Sequence, residues 1–512
     1  MRNCSQLVNF SVGLLISFGA VACSSSSSSG TGGMGALGGA GAGLGGAGGG
    51  SNLPPLVTPV HVMAGANPAL ADGTLALPFA TPYDATIAID ARPAWVGEII
   101  IHEGLYELPA NPDKTNRHAN DVVVPASAKL QVLPGATFAL GDKVSFHVQN
   151  DVSLVGTAAS PIIFTWLTDK KHWGSFTNFE PTSKNNVFEY VIFEHGGESS
   201  FKGATTTGTL AIRGGGAHVN HCEFRFAEGD DGMNSSGAYI LLENSYFHDN
   251  LNDCYDANKP SMPPGEARYN RFVHCGNDSI DAGEGSNLYA HHNTMTGSGD
   301  KGVSIGEISF PTIENNLIVG CNIGIGIKDG SDPVITNNTL VGNIVGVSNY
   351  EAVAGDGPGK GTFKNGIIWG SMQADIVNNE NAGTTVFSYS CIQSSTYRTD
   401  LVVGSTPLPI TGVGILTAAA GCPDPGFAAP NPIPPPAAML GTTFDPGDYH
   451  LKSVSGRFDP LTMAFVTTDT TTSPCVDAGD PASPFALETL PNGMRIDLGA
   501  YGNTPEASKS AH

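Results

Sequence analysis

The chain has 512 residues, of which 66 are glycine, 35 are proline and only 14% are charged. So many chain-bending residues among so few charges exclude long helical arrays and point to a turn-dense, strand-rich fold. With 24 basic and 47 acidic residues the net charge is -23, which disfavours attraction to nucleic acid or to an anionic bilayer surface and invites divalent cations.

Residues 1–22 begin with a basic Arg2, run through an apolar stretch from Val8 to Val21 and end in small residues just before Cys23, the pattern of a signal peptide. The run ending at Cys23 resembles a bacterial lipoprotein signal, which implies that Cys23 is lipidated and becomes the first residue of the mature chain; plain secretion is the alternative. Residues 23–52 are Ser, Gly and Ala almost throughout, a flexible tether reaching about 30 Å. Such a tether has a purpose if one end is fixed in a bilayer. The expected location is the bacterial cell envelope or surface, on the outer membrane, with contact to the membrane only through the lipid.

Residues 53–95 are expected to form an opening strand and a capping helix, with Thr81 as N-cap and Pro82 as the first helical residue. From residue 96 to 400 the chain is read as a solenoid, because its central part repeats itself. Apolar anchors, six of them closing Asn-containing tri- or tetrapeptides, stand at Phe193, Phe224, Phe247, Phe272, Met295, Ile318, Leu340 and Ile368, at intervals of 31, 23, 25, 23, 23, 22 and 28 residues. These periods are too short for propeller blades and lack the helical or Leu-rich pattern of other solenoids, leaving a parallel β-helix. Two positions before four consecutive anchors stand Asn270, Asn293, Asn316 and Asn338, a column whose side-chain amides can hydrogen-bond from coil to coil. Each coil also carries a short alternating strand, such as Tyr255-Asp256-Ala257 or Val303-Ser304-Ile305, with the middle residue predicted to face solvent. Gly302, Gly306, Gly324 and Gly330 are placed near the bends. Residues 401–512 are read as an irregular closing segment.

This part of the chain resembles the right-handed parallel β-helix proteins of the pectin-lyase-like superfamily. The resemblance extends to Leu130 through Thr165 with Trp173-Gly174, to Asn67 through Thr81, and to the closing motifs at Asp448 to Leu451, Ser473 to Pro481 and Gly499 to Gly502, about residues 60 to 508. It implies an all-β solenoid with an N-terminal cap, and one such fold hosts many functions. A monomer is expected. Seven cysteines remain beyond Cys4 and Cys23; the number is odd, so at least one thiol is unpaired or pairs between chains, and those inside the repeats are read as buried small apolar residues.

Aligning the strands brings acidic residues into two registered columns, Asp231, Asp253, Asp278 and then Lys301 in the first, Asn234, Asp256, Asp281 and then Ser304 in the second. Like charges one strand spacing apart repel by about 3 kcal/mol at an effective dielectric of 20, so a counter-charge is needed. Ca²⁺, which tolerates irregular sets of six to eight oxygens, suits carboxylates offered by adjoining coils. The alternative is that the carboxylates bind bend amides and Lys301 ends the column. A further column at Glu284, Glu307 and Asp329 is read as solvated turns, and the histidines as surface or satisfied groups. Asn252-Asp253-x-x-Asp256, with Asp231 one coil earlier, resembles the calcium cluster of polysaccharide lyase family nine, although Asn252 stands in place of an Asp. That implies Ca²⁺ held by Asp231, Asp253, Asp256, Asp278 and Asp281, and a lysine base, for which Lys301 is the first choice and Lys328 the second. The expected function is to bind or degrade polysaccharide, as a calcium-assisted uronate lyase; the alternative is a non-catalytic surface module for glycan binding or interaction.

Overall fold

A computed structural model describes residues 53–110, 120–168, 171–181, 183–378, 385–400, 406–434 and 444–510. Cys23 and the tether lie outside the described residues. Three long parallel sheets run the length of the solenoid, each strand pairing with its counterpart one coil away: the first, from Val60–Val62 to Thr385–Ser388, has 13 strands, the second, from Val122–Val124 to Ala374–Asn378, has 11, and the third, from Gly104–Leu108 to Leu416–Thr417, has 13. The chain is a right-handed β-helix solenoid. A single α-helix among the described residues, Pro82–Asp90, is capped by Thr81, whose hydroxyl accepts from the backbone N–H of Asp84. Its Ala85 and Ile89 join the main core beside Val60, Val62, Val122 and Val124, covering the first coils.

All eight anchors pair in one register column of the third sheet, Phe193 with Phe224 and onward to Leu340 with Ile368. Each is almost wholly buried. Where successive anchors are both phenylalanine the rings stack, with centroids 4.4 Å apart for Phe224 and Phe247 and 4.9 Å for Phe247 and Phe272. The core is therefore a continuous pile rather than a set of separate clusters.

The asparagine column is a hydrogen-bonded ladder. Asn293 Oδ1 accepts from both the backbone N–H and Nδ2 of Asn270, at 3.0 Å each, and the pattern repeats from Asn293 to Asn316 and from Asn316 to Asn338. It reaches further than four asparagines, since Cys222 N donates to Ser245 Oγ and Ser245 N to Asn270 Oδ1. The residue before each asparagine, Tyr269, His292, Asn315 or Asn337, has φ of +54° to +55°, so the chain turns sharply between the first and third sheets.

Two expectations change. Gly302 and Gly324 lie inside strands Lys301–Ile305 and Ile323–Lys328 rather than at bends; a Cβ would meet Ile318 Cγ2 at 2.4 Å at Gly302 and Leu340 Cδ2 at 2.9 Å at Gly324, so the missing side chains make room for the anchors. Among the cysteines, Cys222 and Cys321 are free and buried, but Cys254 pairs with Cys275 and Cys391 with Cys422. The first pair lies in adjoining coils, where stacking brings residues 21 apart face to face. The last segment lies along the outer face of the third sheet: Tyr449, Leu451, Leu498 and Ala500 form a second apolar core with Val319, Val341 and Ile367.

Candidate functional site

The second sheet places both acidic columns on consecutive strands. Asp231–Ser236 pairs with Asp253–Asn258 so that Asp231 meets Asp253 and Asn234 meets Asp256. Asp256 pairs with Asp281, Asp281 with Ser304, and Ser304 with Gly326. Asp231 and Asp253 open their strands, and their side chains are buried, as is that of Asp278. Asp256 and Asp281 point away from the core by alternation, between Tyr255 and Ala257 and between Ile280 and Ala282, yet they are half-buried rather than solvent-facing. Neighbouring side chains roof them: Asp256 Oδ2 accepts from Asn234 Nδ2 at 2.8 Å and Asn258 Nδ2 at 2.7 Å.

One oxygen of Asp253 and one of Asp278 serve the backbone. Asp253 Oδ1 accepts from Asp278 N at 2.8 Å and from Asn277 Nδ2 at 2.8 Å, and Asp278 Oδ1 accepts from Lys301 N at 2.8 Å. This is the bend-amide arrangement, but it does not use every oxygen. Asp231 Oδ2 and Asp281 Oδ1 are buried without a hydrogen-bond partner among the described residues. Asp253, Asp278 and Asp281 each offer an oxygen within 4.8 Å of the others. Such a set fits a hard cation, because carboxylate oxygens converge and some have no other partner.

Crowding shows in the proton affinities. Burial pushes Asp231, Asp253 and Asp256 well above the usual carboxylate range, and the neighbouring carboxylates push further in the same direction. Asp278 is pushed up to about 7, by burial first; Lys301 pulls it down while Asp281 and Asp300 add to the rise.

The two lysines occupy different situations. Lys301 is buried, with its ammonium on Asp278 Oδ1 at 3.4 Å and on Asp300. Burial disfavours its charge, but Asp278, Tyr350 and Asp300 outweigh that and hold it protonated above its ordinary value. Lys328 is half-buried and engaged in no ion pair or hydrogen bond among the described residues. Its charge too is disfavoured by burial and restored by Asp281. Both stems run in lanes opened by glycine: a Cβ on Gly326 would lie 2.7 Å from Lys301 Cδ, and one on Gly306 would lie 2.6 Å from Lys328 Cε. Tyr350, register partner of Lys328, borders the same face. Asp300, Tyr350 and the two glycine lanes are not among the residues that the sequence singled out, although Gly326 follows Ser304 in the second column.

The further column is mixed. Glu284, Glu307 and Asp329 adopt φ of +52° to +55° at the bend, but Asp329 is buried and accepts from Ala352 N and Val353 N, so it is not a solvated turn. Among the histidines of the repeats, His248 pairs with Glu223 and Asp249, His274 with Asp249 and His291 with Glu266.

Residues 182–390 match the family described as right handed beta helix region. No curated protein matches the chain. Among solved structures, pectate lyase Pel9A is similar over 87% of this chain and 96% of its own, at 12% identity and a TM-score of 0.42. An alginate lyase from Paenibacillus sp. str. FPU-7 is similar over 57% and 94%, at 13% identity and 0.32. The mannuronan C-5 epimerase AlgE4 A-module of Azotobacter vinelandii is similar over 70% and 91%, at 13% identity and 0.32. With three parallel sheets wound into one solenoid and the matched region at its centre, the chain is a right-handed parallel β-helix protein.

Proposed function

We propose that the outward face of the second sheet is the active site of a calcium-assisted lyase for uronate-containing polysaccharide, carried on the bacterial surface by a lipid on Cys23. The observation that carries the reading is one of convergence: three carboxylates within 4.8 Å, unpartnered oxygens on Asp231 and Asp281, and beside them a lysine without an ion pair among the described residues. Asp231, Asp253, Asp256, Asp278 and Asp281 would hold Ca²⁺, which when bound offsets the charge of a uronate carboxylate and acidifies the C–H beside it.

Lys328 is the better base. Lys301 is committed to Asp278 and Asp300 and buried, whereas Lys328 can turn its nitrogen toward a substrate. In its neutral form it takes the proton from C5 of the uronate; the C–H electron pair becomes the C4=C5 double bond, the C4–O4 bond breaks, and O4 takes a proton from water. A net charge of -23 repels a polyanion, so binding should itself require the cation.

The test is to incubate purified protein with polygalacturonate or alginate in calcium and follow the ultraviolet absorbance of unsaturated ends. Activity should vanish on chelation and in Lys328→Ala. No unsaturated product from any polyuronate would leave the non-catalytic surface module as the account.

A further inference from the structure

Ser304 is out of place for a serine that only fills a strand. It stands in the second column between Asp281 and Gly326, and alternation with Val303 and Ile305, both in the core, turns it away from the interior. Even so it is completely buried, and its Oγ has no hydrogen-bond partner among the described residues. The lanes explain the burial: the Lys301 stem crosses Gly326 in the next coil, and the Lys328 stem crosses Gly306, two residues along the chain and just past the strand's end. A buried hydroxyl without a partner destabilises the fold that holds it, and alanine would avoid that cost. The hydroxyl is therefore better explained by a group that arrives than by the resting fold.

The surroundings define that group. On one side lies the unpartnered Oδ1 of Asp281 and on the other the two lysine stems. An atom here must accept a hydrogen bond, be drawn to ammonium groups, and tolerate a carboxylate cluster whose charge a cation offsets. A carboxylate meets all three conditions, with one oxygen toward the cation site and the other toward Ser304. Lys328 supplies the access, because a side chain with no ion pair can swing off Gly306 at little cost.

Resting on the lyase reading above, we propose that Ser304 Oγ donates a hydrogen bond to the substrate's uronate carboxylate and so sets the preference of this site for acidic over esterified sugar. The experiment uses purified protein in Ca²⁺, titrated calorimetrically with oligogalacturonate, oligoguluronate and methyl-esterified oligogalacturonate. Ser304→Ala should bind the preferred acidic oligomer about tenfold more weakly, the loss of one charge-assisted hydrogen bond, with little change toward the ester. Its melting temperature should be equal to or above that of the unaltered protein, since an unpartnered group has been removed. Equal affinity for the acidic oligomer, an equal loss toward acid and ester, or a lowered melting temperature would each overturn the assignment. If the unaltered protein binds neither acidic oligomer, the lyase reading falls with it; if it binds one and Ser304→Ala binds it as well, only the role of Ser304 falls.

Discussion

Asp278 holds a backbone amide, an ammonium and a place in a carboxylate cluster at once, and its proton records the conflict. Its value near 7, against an ordinary 3.8, means that the folded chain keeps a proton between these pH values that the unfolded chain has released. The folded state then binds more protons, so stability falls as pH rises through the window, and the loss is complete above about pH 7. Asp231, Asp253 and Asp256 are shifted in the same direction. In chelator the protein should therefore melt lower at pH 8 than at pH 5, and calcium should restore much of the difference, a ligand at 100 times its dissociation constant adding about 2.7 kcal/mol. Asp278→Asn should shrink the calcium response in thermal unfolding. Identical melting in calcium and chelator at both pH values would reduce the columns to bend-binding carboxylates. The two lysines should separate cleanly by mutation. Lys301→Ala leaves Asp278 buried beside other carboxylates, a loss of about 3 kcal/mol or more, measurable as a lowered melting temperature without calcium. Lys328→Ala breaks no ion pair among the described residues, so its stability should be nearly unchanged, while lyase activity falls at least about 100-fold.

At the level of elements, the ladder rather than the individual strand defines a coil. Strands of three residues such as Thr312–Glu314 and Leu317–Val319 are too short to stand alone, and Asn316 between them ties three coils together. Its Oδ1 accepts twice from Asn293, and its Nδ2 donates to Ala290 O and Asn338 Oδ1. Asn316→Ala would strand several buried groups at once, at a cost of about 3 kcal/mol or more; hydrogen exchange should show the loss concentrated in the neighbouring coils, because each coil contacts chiefly its neighbours. A uniform loss along the solenoid would contradict a local ladder. The Cys254–Cys275 pair joins coils that carry Asp253 and Asp278, adding a covalent tie beside the acidic cluster. The asparagine spacing was legible because each coil repeats it, whereas the disulfide was not: Cys254 and Cys275 follow different repeat positions, and only stacking shows that their sulfurs meet.

For the molecule as a whole, the tether and the solenoid set where the proposed chemistry would take place. If Cys23 carries a lipid, Cys23→Ser should move the protein from the membrane fraction to the soluble fraction of the producing cell, with solenoid melting unchanged; unchanged partitioning would remove the anchor. The closing segment makes its own contribution by covering the third sheet, where Asn315 Nδ2 donates to Ala500 O and Gly502 O, leaving the second sheet as the face that bears the acidic site. The solenoid, its anchor column, the asparagine ladder and the register of the acidic columns were all readable as one-dimensional pattern, since alternation of period two and recurrence every 22 to 31 residues translate directly into inward faces and stacked coils. Burial could not be read the same way. Asp256 and Asp281 are outward by parity but roofed, Ser304 is outward and wholly covered, and Lys301 and Lys328 differ in their ion pairs although both are lysines near the same columns. These properties depend on where long side chains lie across neighbouring coils, and on glycines that make room for them, so they exist only once the coils are stacked.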